Sequence, residues 1–207
     1  RPKVARTLHF GCRNAERRVH GQSDGTPWLT LGERFSRRDD AQELDNHLGK
    51  IVRVGKDGGV PADNPFVGRA GALPEIWSYG HRNAQGATLA PDGTFWMHEH
   101  GAQGGDEINL PQPGKNYGWP QVSFGINYDG TPIGTGRSSQ PGMEPPLHHW
   151  TPSIAPSGMA FLTSDRYGAA WQGNLFVGAL KFQVLERIEL KDGRVVKGVN
   201  FVDLRDA

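Results

Sequence analysis

Asp24-Gly25-Thr26-Pro27-Trp28-Leu29 and, 68 residues later, Asp92-Gly93-Thr94-Phe95-Trp96-Met97 are two versions of one phrase. Each sets a tight turn before an aromatic-rich apolar run. Asp-Gly favours such turns because both residues tolerate a positive φ. A second echo links Gln85-Gly86-Ala87-Thr88-Leu89 to Ser157-Gly158-Met159-Ala160-Phe161, 72 residues on. Repetition at this spacing, with about four strands per unit, fits the blades of a β-propeller carrying long loops. A β-sandwich with similar hairpins is the alternative that spacing alone leaves open.

Working outward, strand-like runs occur at 50–54, 75–79, 94–98, 174–180, 184–190 and 194–197. Turn residues lie between them, including Asp57-Gly58-Gly59, Asp129-Gly130 and Asp192-Gly193. Helical pattern is thin. Residues 39–48 read as a short helix with Leu44 and Leu48 on one face and Gly49 as its stop, and 165–171 as another helical turn. Gly 29 and Pro 15 make up about a fifth of the 207 residues, against an average near 12%. The chain is therefore expected to be all-β and turn-rich, with enough length for one sizeable core.

Lys plus Arg 23 against Asp plus Glu 22 leaves a net charge of +1. No strong field draws nucleic acid or an anionic membrane. The pairs Arg17-Arg18 and Arg37-Arg38 read as solvated surface. No apolar stretch approaches the roughly 20 residues of a spanning helix. Cys12, the one cysteine, has no partner for an internal disulfide or a cysteine-based zinc site. The chain opens on Arg1-Pro2-Lys3-Val4 without Met and reads as an internal fragment.

The segment 101–150 is poor in strand pattern and rich in Gly, Pro and Asn. It also carries Tyr117, Trp119, Phe124, Tyr128 and Trp150. A long loop studded with aromatics is the first place to look for a site. It is entered through His98-Glu99-His100-Gly101-Ala102-Gln103-Gly104-Gly105-Asp106-Glu107. His98 and His100 face one way on an extended strand, but a zinc ion wants three or four ligands and no third lies near. The glycine turn suits a hard cation better. Glycines let carbonyls converge, and Asp106 and Glu107 add carboxylates of the kind Ca²⁺ takes. The opposing reading is an acidic turn whose carboxylates cap backbone N–H groups. Tyr117 and Trp119 offer flat faces for a planar ligand or a sugar, or pack beneath the loop. Ahead of this segment His81, Arg82, Asn83 and Gln85 cluster before a strand, and Arg82 suits a bidentate carboxylate contact. Lys181 closes the run 175–180 at a strand end. His9, between apolar neighbours, reads as a core histidine on its residues alone.

Read together, Glu75-Ile76-Trp77-Ser78-Tyr79-Gly80-His81-Arg82-Asn83, Glu99-His100-Gly101, Gly105-Asp106-Glu107-Ile108-Asn109, Gly114-Lys115-Asn116-Tyr117-Gly118-Trp119-Pro120, Gly125-Ile126-Asn127-Tyr128, Ser157-Gly158-Met159-Ala160-Phe161 and Phe176-Val177-Gly178-Ala179-Leu180-Lys181 resemble the soluble pyrroloquinoline-quinone-dependent sugar dehydrogenases of the glucose/sorbosone dehydrogenase group. The resemblance implies a six-bladed β-propeller, of which residues 1–207 would be a partial domain of three to four blades with both terminal blades incomplete. It implies pyrroloquinoline quinone and Ca²⁺ as cofactors, an aldose sugar as substrate, a separate electron acceptor, and a periplasmic or secreted location. Under it, His9 in His-Phe-Gly is the base. Arg82, catalytic as well, and Asn83, Tyr128, Ala179, Leu180, Lys181 and Arg205 lie at the quinone. The carbonyls of Gly101 and Ala102 hold a catalytic Ca²⁺, and Glu107 and Tyr117 a structural one. The group usually has proline at the positions of Ala84 and Ala102 and arginine at that of Asp203. A non-catalytic binding module on the same fold is the rival expectation.

Overall fold

The computed structural model describes residues 17–21, 26–191 and 193–203. Twelve strands form three four-stranded antiparallel sheets, each with its strands in chain order. The first holds β1 (Arg17–Gly21), β2 (Pro27–Leu31), β3 (Lys50–Arg53) and β4 (Ile76–Tyr79). The second holds β5 (Ala84–Leu89), β6 (Phe95–Glu99), β7 (Asp106–Asn109) and β8 (His148–Trp150). The third holds β9 (Pro156–Phe161), β10 (Leu175–Ala179), β11 (Val184–Lys191) and β12 (Arg194–Asp203). First strands neighbour one another, β1 against β5 and β5 against β9. Up-and-down meanders packed face to face with their first strands adjacent are the arrangement of a β-propeller.

Alternation decides which residues face which sheet. On β6, Phe95 and Met97 point to the first sheet and join Trp28, Ile51 and Ala84 in one core. Trp96, between them, points to the third sheet and joins Ile108, Trp150, Leu175, Val177 and Ile188 in another. All five residues of β6 are buried as a result. Truncating Met97 or Ile108, both with no exposed surface, to alanine is expected to cost about 2–5 kcal/mol. Gly86 lies where β5 approaches β9: a Cβ there would strike the His98 ring and lie 2.8 Å from the Ser157 carbonyl oxygen.

The second copy of the phrase does what its residues suggest, while Asp24-Gly25 of the first lies outside the described residues. At Asp92-Gly93 the chain reverses between β5 and β6, with Gly93 at φ 86° and Asp92 Oδ1 accepting the Thr94 N–H at 2.8 Å. A third, divergent copy, Gly173-Asn174-Leu175-Phe176, leads into β10 with Gly173 at φ 81°.

Three expectations are corrected. The helix at 39–48 shrinks to a single 3₁₀ turn, Arg38–Gln42. The buried Lys50 amine takes the carbonyls of Asp40 (2.9 Å), Ala41 (3.1 Å) and Leu48 (2.5 Å), so these groups close a compact loop instead of continuing a helix. Residues 165–171 form turns without a helix. The segment 101–150 is not loop throughout, because its two ends supply β7 and β8. Among the described residues no helix is long and apolar enough to cross a membrane.

Candidate functional site

The connections after β2, β4, β6, β8 and β10 gather at one rim, and the long β7–β8 connection climbs back to it. They enclose two adjoining cavities. The larger, about 700 Å³, is lined by Gly101, Ala102, Tyr128, Ser153 and Lys181 among others. The smaller, about 460 Å³, is lined by Glu33, Phe35, Arg38, Arg82, Trp119 and Asp129 among others. Ala102 and Tyr128 border both.

Arg82 lies at the floor, 8% exposed. The turn that delivers it needs Gly80 (φ 75°), where a Cβ would collide with Asn116 Oδ1 and lie 2.8 Å from the Gly118 nitrogen. Glu99, at the end of β6, fixes the Arg82 backbone by accepting its N–H at 2.5 Å. The guanidinium donates to the His100 carbonyl at 2.9 Å, reaches the Tyr128 hydroxyl at 3.5 Å and lies over the Trp119 ring at 5.1 Å. A cation held on three sides in a half-dry site is oriented before any ligand arrives.

Glu99 also bonds the His81 Nδ1 at 3.0 Å and the Asn109 amide at 3.0 Å. Burial alone would raise its pKa. The charge and hydrogen bond of His81 and the Arg82 N–H outweigh that and hold it below the usual carboxylate range. Glu107 has the opposite balance. Burial, then the nearby Glu99 and Asp106 charges, push its carboxyl up to about 8, offset in part by the Asn109 amide at 3.2 Å.

Residues 101–105 form a carbonyl-lined cradle. A Cβ on Gly101 would run into the carbonyl oxygens of Gly104 and Gly105. Asp106 holds the cradle to the β8–β9 connection. Its Oδ1 accepts the Gly101 N–H at 2.8 Å, while Oδ2 accepts Ser153 Oγ–H at 2.7 Å and the N–H groups of Ile154 and Ala155 at 2.9 Å each. Beneath lies a void of about 10 Å³ bordered by Glu99, Gly101, Gly105, Glu107 and Tyr117, about the space of one water or ion. The Tyr117 hydroxyl donates to the Leu110 carbonyl and accepts the Gln112 N–H, which leaves its main-chain oxygen as the group open to a cation. Carbonyls converging beside the Glu107 carboxyl are the kind of oxygen donors that a hard cation takes. Lys181 on the larger cavity and Arg82 on the smaller one, with Tyr128 bordering both, suit an anionic, carboxylate-bearing ligand lying across the two.

Arg82, Gly101, Ala102, Tyr128 and Lys181 are thus brought together, with Glu107 and Tyr117 directly below. Asn83, Ala179 and Leu180 border neither cavity. Asn83 Oδ1 accepts from Gln85 at 2.9 Å, Ala179 packs in the core, and Leu180 is 64% exposed at the strand end. His9 and Arg205 lie outside the described residues, as does the side chain of Asp203. His98 and His100 do not converge: His98 packs against Gly86, and the His100 ring bonds the Pro156 carbonyl at 2.7 Å. Sequence reading passed over Glu33 and Phe35 and read Arg38 as solvated surface, whereas Arg38 lines the smaller cavity and bonds Asn127. Their one signal is position, an acid–base–aromatic run directly after an apolar strand.

The family described as Glucose / Sorbosone dehydrogenase matches residues 1–205. The chain is similar to the aldose sugar dehydrogenase YliI of Escherichia coli, 46% identical over 182 residues, covering 87% of this chain and 47% of the relative. It is also similar to the solved apo structure of the soluble aldose sugar dehydrogenase (Asd) from E. coli, with TM-score 0.86 and 40% identity over 92% of this chain and 56% of that one. The PQQ-bound aldose sugar dehydrogenase of Streptomyces coelicolor superposes with TM-score 0.72 at 27% identity, over 93% of this chain and 52% of that one. The chain spans about half the length of the curated relatives it matches most fully.

Proposed function

Because the chain belongs to the glucose/sorbosone dehydrogenase family, we propose that it forms the cofactor-bearing part of a six-bladed quinoprotein that oxidises the anomeric carbon of an aldose to the lactone. In this reading it works in the periplasm or outside the cell and passes its electrons to a separate acceptor. The observation that carries the reading is the meeting of Arg82, Ala102, Tyr128 and Lys181, delivered by four separate connections, around two joined cavities.

Pyrroloquinoline quinone, when bound, supplies the electrophilic carbonyl that takes up the hydride from the anomeric carbon, and Ca²⁺ beside it supplies Lewis acidity. The chain's own residues do the rest. Lys181 and Tyr128 hold the cofactor's edge in the larger cavity. The carbonyls of Gly101 and Ala102 would hold the catalytic cation. Glu107 and the main-chain oxygen of Tyr117 would hold the structural one. Arg82, fixed by His100 and Trp119, stabilises negative charge at the floor without reorganising. His9 accepts the proton of the anomeric hydroxyl. The sugar thus loses a hydride from C1 and a proton from its hydroxyl, which is the balance for a lactone.

The test is reconstitution of the intact protein with quinone and Ca²⁺, followed by dye reduction with several aldoses. His9→Gln and Arg82→Ala are each expected to lower kcat by about 10²–10⁴, with quinone binding largely kept in the first. Sugar binding without any oxidation would favour a non-catalytic module instead. Unchanged turnover in His9→Gln would reject His9 as the base.

A further inference from the structure

The loop after β2 carries features that the proposed chemistry does not use. Arg34 and Phe35 both adopt the left-handed region, at φ 65° and 53°. Two adjacent non-glycine residues there are costly and persist only when their surroundings impose them. The Glu33 N–H donates to the Arg82 carbonyl at 3.0 Å and ties the start of this turn to the β4–β5 connection. The result of this strain is an exposed ring. Phe35 is 67% exposed and Tyr128 is 64% exposed. Their centroids lie 6.4 Å apart with planes inclined at 32°. Together they make one apolar ledge at the mouth of the 460 Å³ cavity whose floor is Arg82.

The polar lining complements the ledge. Arg38 bonds Asn127 at 3.1 Å along the rim. Glu33, Asn127 and Asp129 line the same cavity with Arg38 and Arg82, so both hydrogen-bond acceptors and donors surround it. A pyranose has matching chemistry. Its C–H face is apolar and packs on aromatic rings, while its hydroxyls both donate and accept.

We propose that Phe35, with Tyr128 beside it, is the platform for the outer ring of a disaccharide whose reducing end lies against Arg82, so that Phe35 sets the preference for disaccharides over monosaccharides. This rests on the sugar-oxidising reading above. With the reacting carbon at the buried floor, a monosaccharide fills the cavity and leaves the ledge bare, whereas a 4-linked second ring extends onto it.

The experiment compares maltose and glucose on the intact holoenzyme carrying Phe35→Ala, Phe35→Gly or Phe35→Trp. Alanine and glycine are expected to lower kcat/KM for maltose about tenfold, through KM, and for glucose less than about threefold; tryptophan retains both. Glycine is the decisive variant, because it relieves the left-handed strain while removing the ring. Recovery of wild-type kinetics by glycine would assign Phe35 a backbone role and overturn the proposal, as would equal losses for the two sugars. Saturation-transfer NMR on the cofactor-free protein gives a readout independent of turnover: the non-reducing ring of maltose should receive saturation in the wild type and lose it in Phe35→Ala. A protein that oxidises no aldose yet shows this NMR contrast refutes the catalytic reading and keeps the platform. An active enzyme without the contrast does the reverse.

Discussion

Asp106 and Glu107 are neighbours with the same functional group and opposite assignments. Asp106 accepts four hydrogen bonds, three from backbone N–H groups and one from Ser153. It caps the acidic turn and ties two connections together. Glu107 keeps one amide contact and borders the small void. The sequence held both readings open for both residues, because Asp-Glu after a glycine run fits either. Which carboxylate finds donors depends on the β8–β9 connection, some 47 residues downstream. Asp106→Asn keeps one acceptor oxygen and loses the charge on all four bonds. It is expected to cost about 2–4 kcal/mol of stability and to weaken Ca²⁺ binding at the Gly101–Ala102 carbonyls. Thermal unfolding and a calcium titration of the variant check this; wild-type values in both would mean the cradle holds itself.

At the scale of elements, Glu186 on β11 is another buried carboxylate, with Oε2 accepting the Trp150 indole N–H at 2.7 Å across the gap between the second and third sheets. Burial raises its pKa, offset in part by that bond. The folded state therefore keeps the Glu186 proton to a higher pH than the unfolded chain does. The associated stability is fully present below the unfolded value near 4.5 and is lost as pH rises through the folded value. Glu186→Gln keeps an acceptor for Trp150 and removes the titration. Melting temperatures across pH 4 to 8 should fall less steeply in the variant, and parallel profiles would contradict the assignment. Sequence pattern located β3, β4, β6, β10 and β11 to within about a residue at most ends, because these strands alternate or run apolar between turn residues. Its strand-like runs leave out β1, β2, β5, β7, β8 and β9, and they end β12 at 197 where the strand runs to Asp203. Asp106–Asn109 is polar along most of its length because it faces the site as well as the core, and His148–Trp150 is too short to show a period. The helix expected at 39–48 failed because Leu44 and Leu48 fit a helical face, while the amine of Lys50, a residue beyond the pattern, decides where those carbonyls point.

For the molecule as a whole, the repeat spacing foretold sheets that follow one another in chain order, and three such meanders are described. Family membership was legible as well, because the motifs that carry it run in order along most of the chain. The rim of the smaller cavity was not legible. Glu33, Phe35 and Arg38 come from a short loop without a motif, and only the fold brings them opposite Tyr128, some 90 residues away. The central claim is that connections from three sheets build one seat for an anionic quinone beside a hard cation. Calorimetric titration of pyrroloquinoline quinone into the cofactor-free intact protein tests it most directly, with and without Ca²⁺, for the wild type and Lys181→Ala. One quinone per chain, binding that collapses when Ca²⁺ is chelated, and an affinity at least about tenfold weaker in Lys181→Ala are the predicted results. Binding indifferent to both the cation and Lys181 would contradict the account.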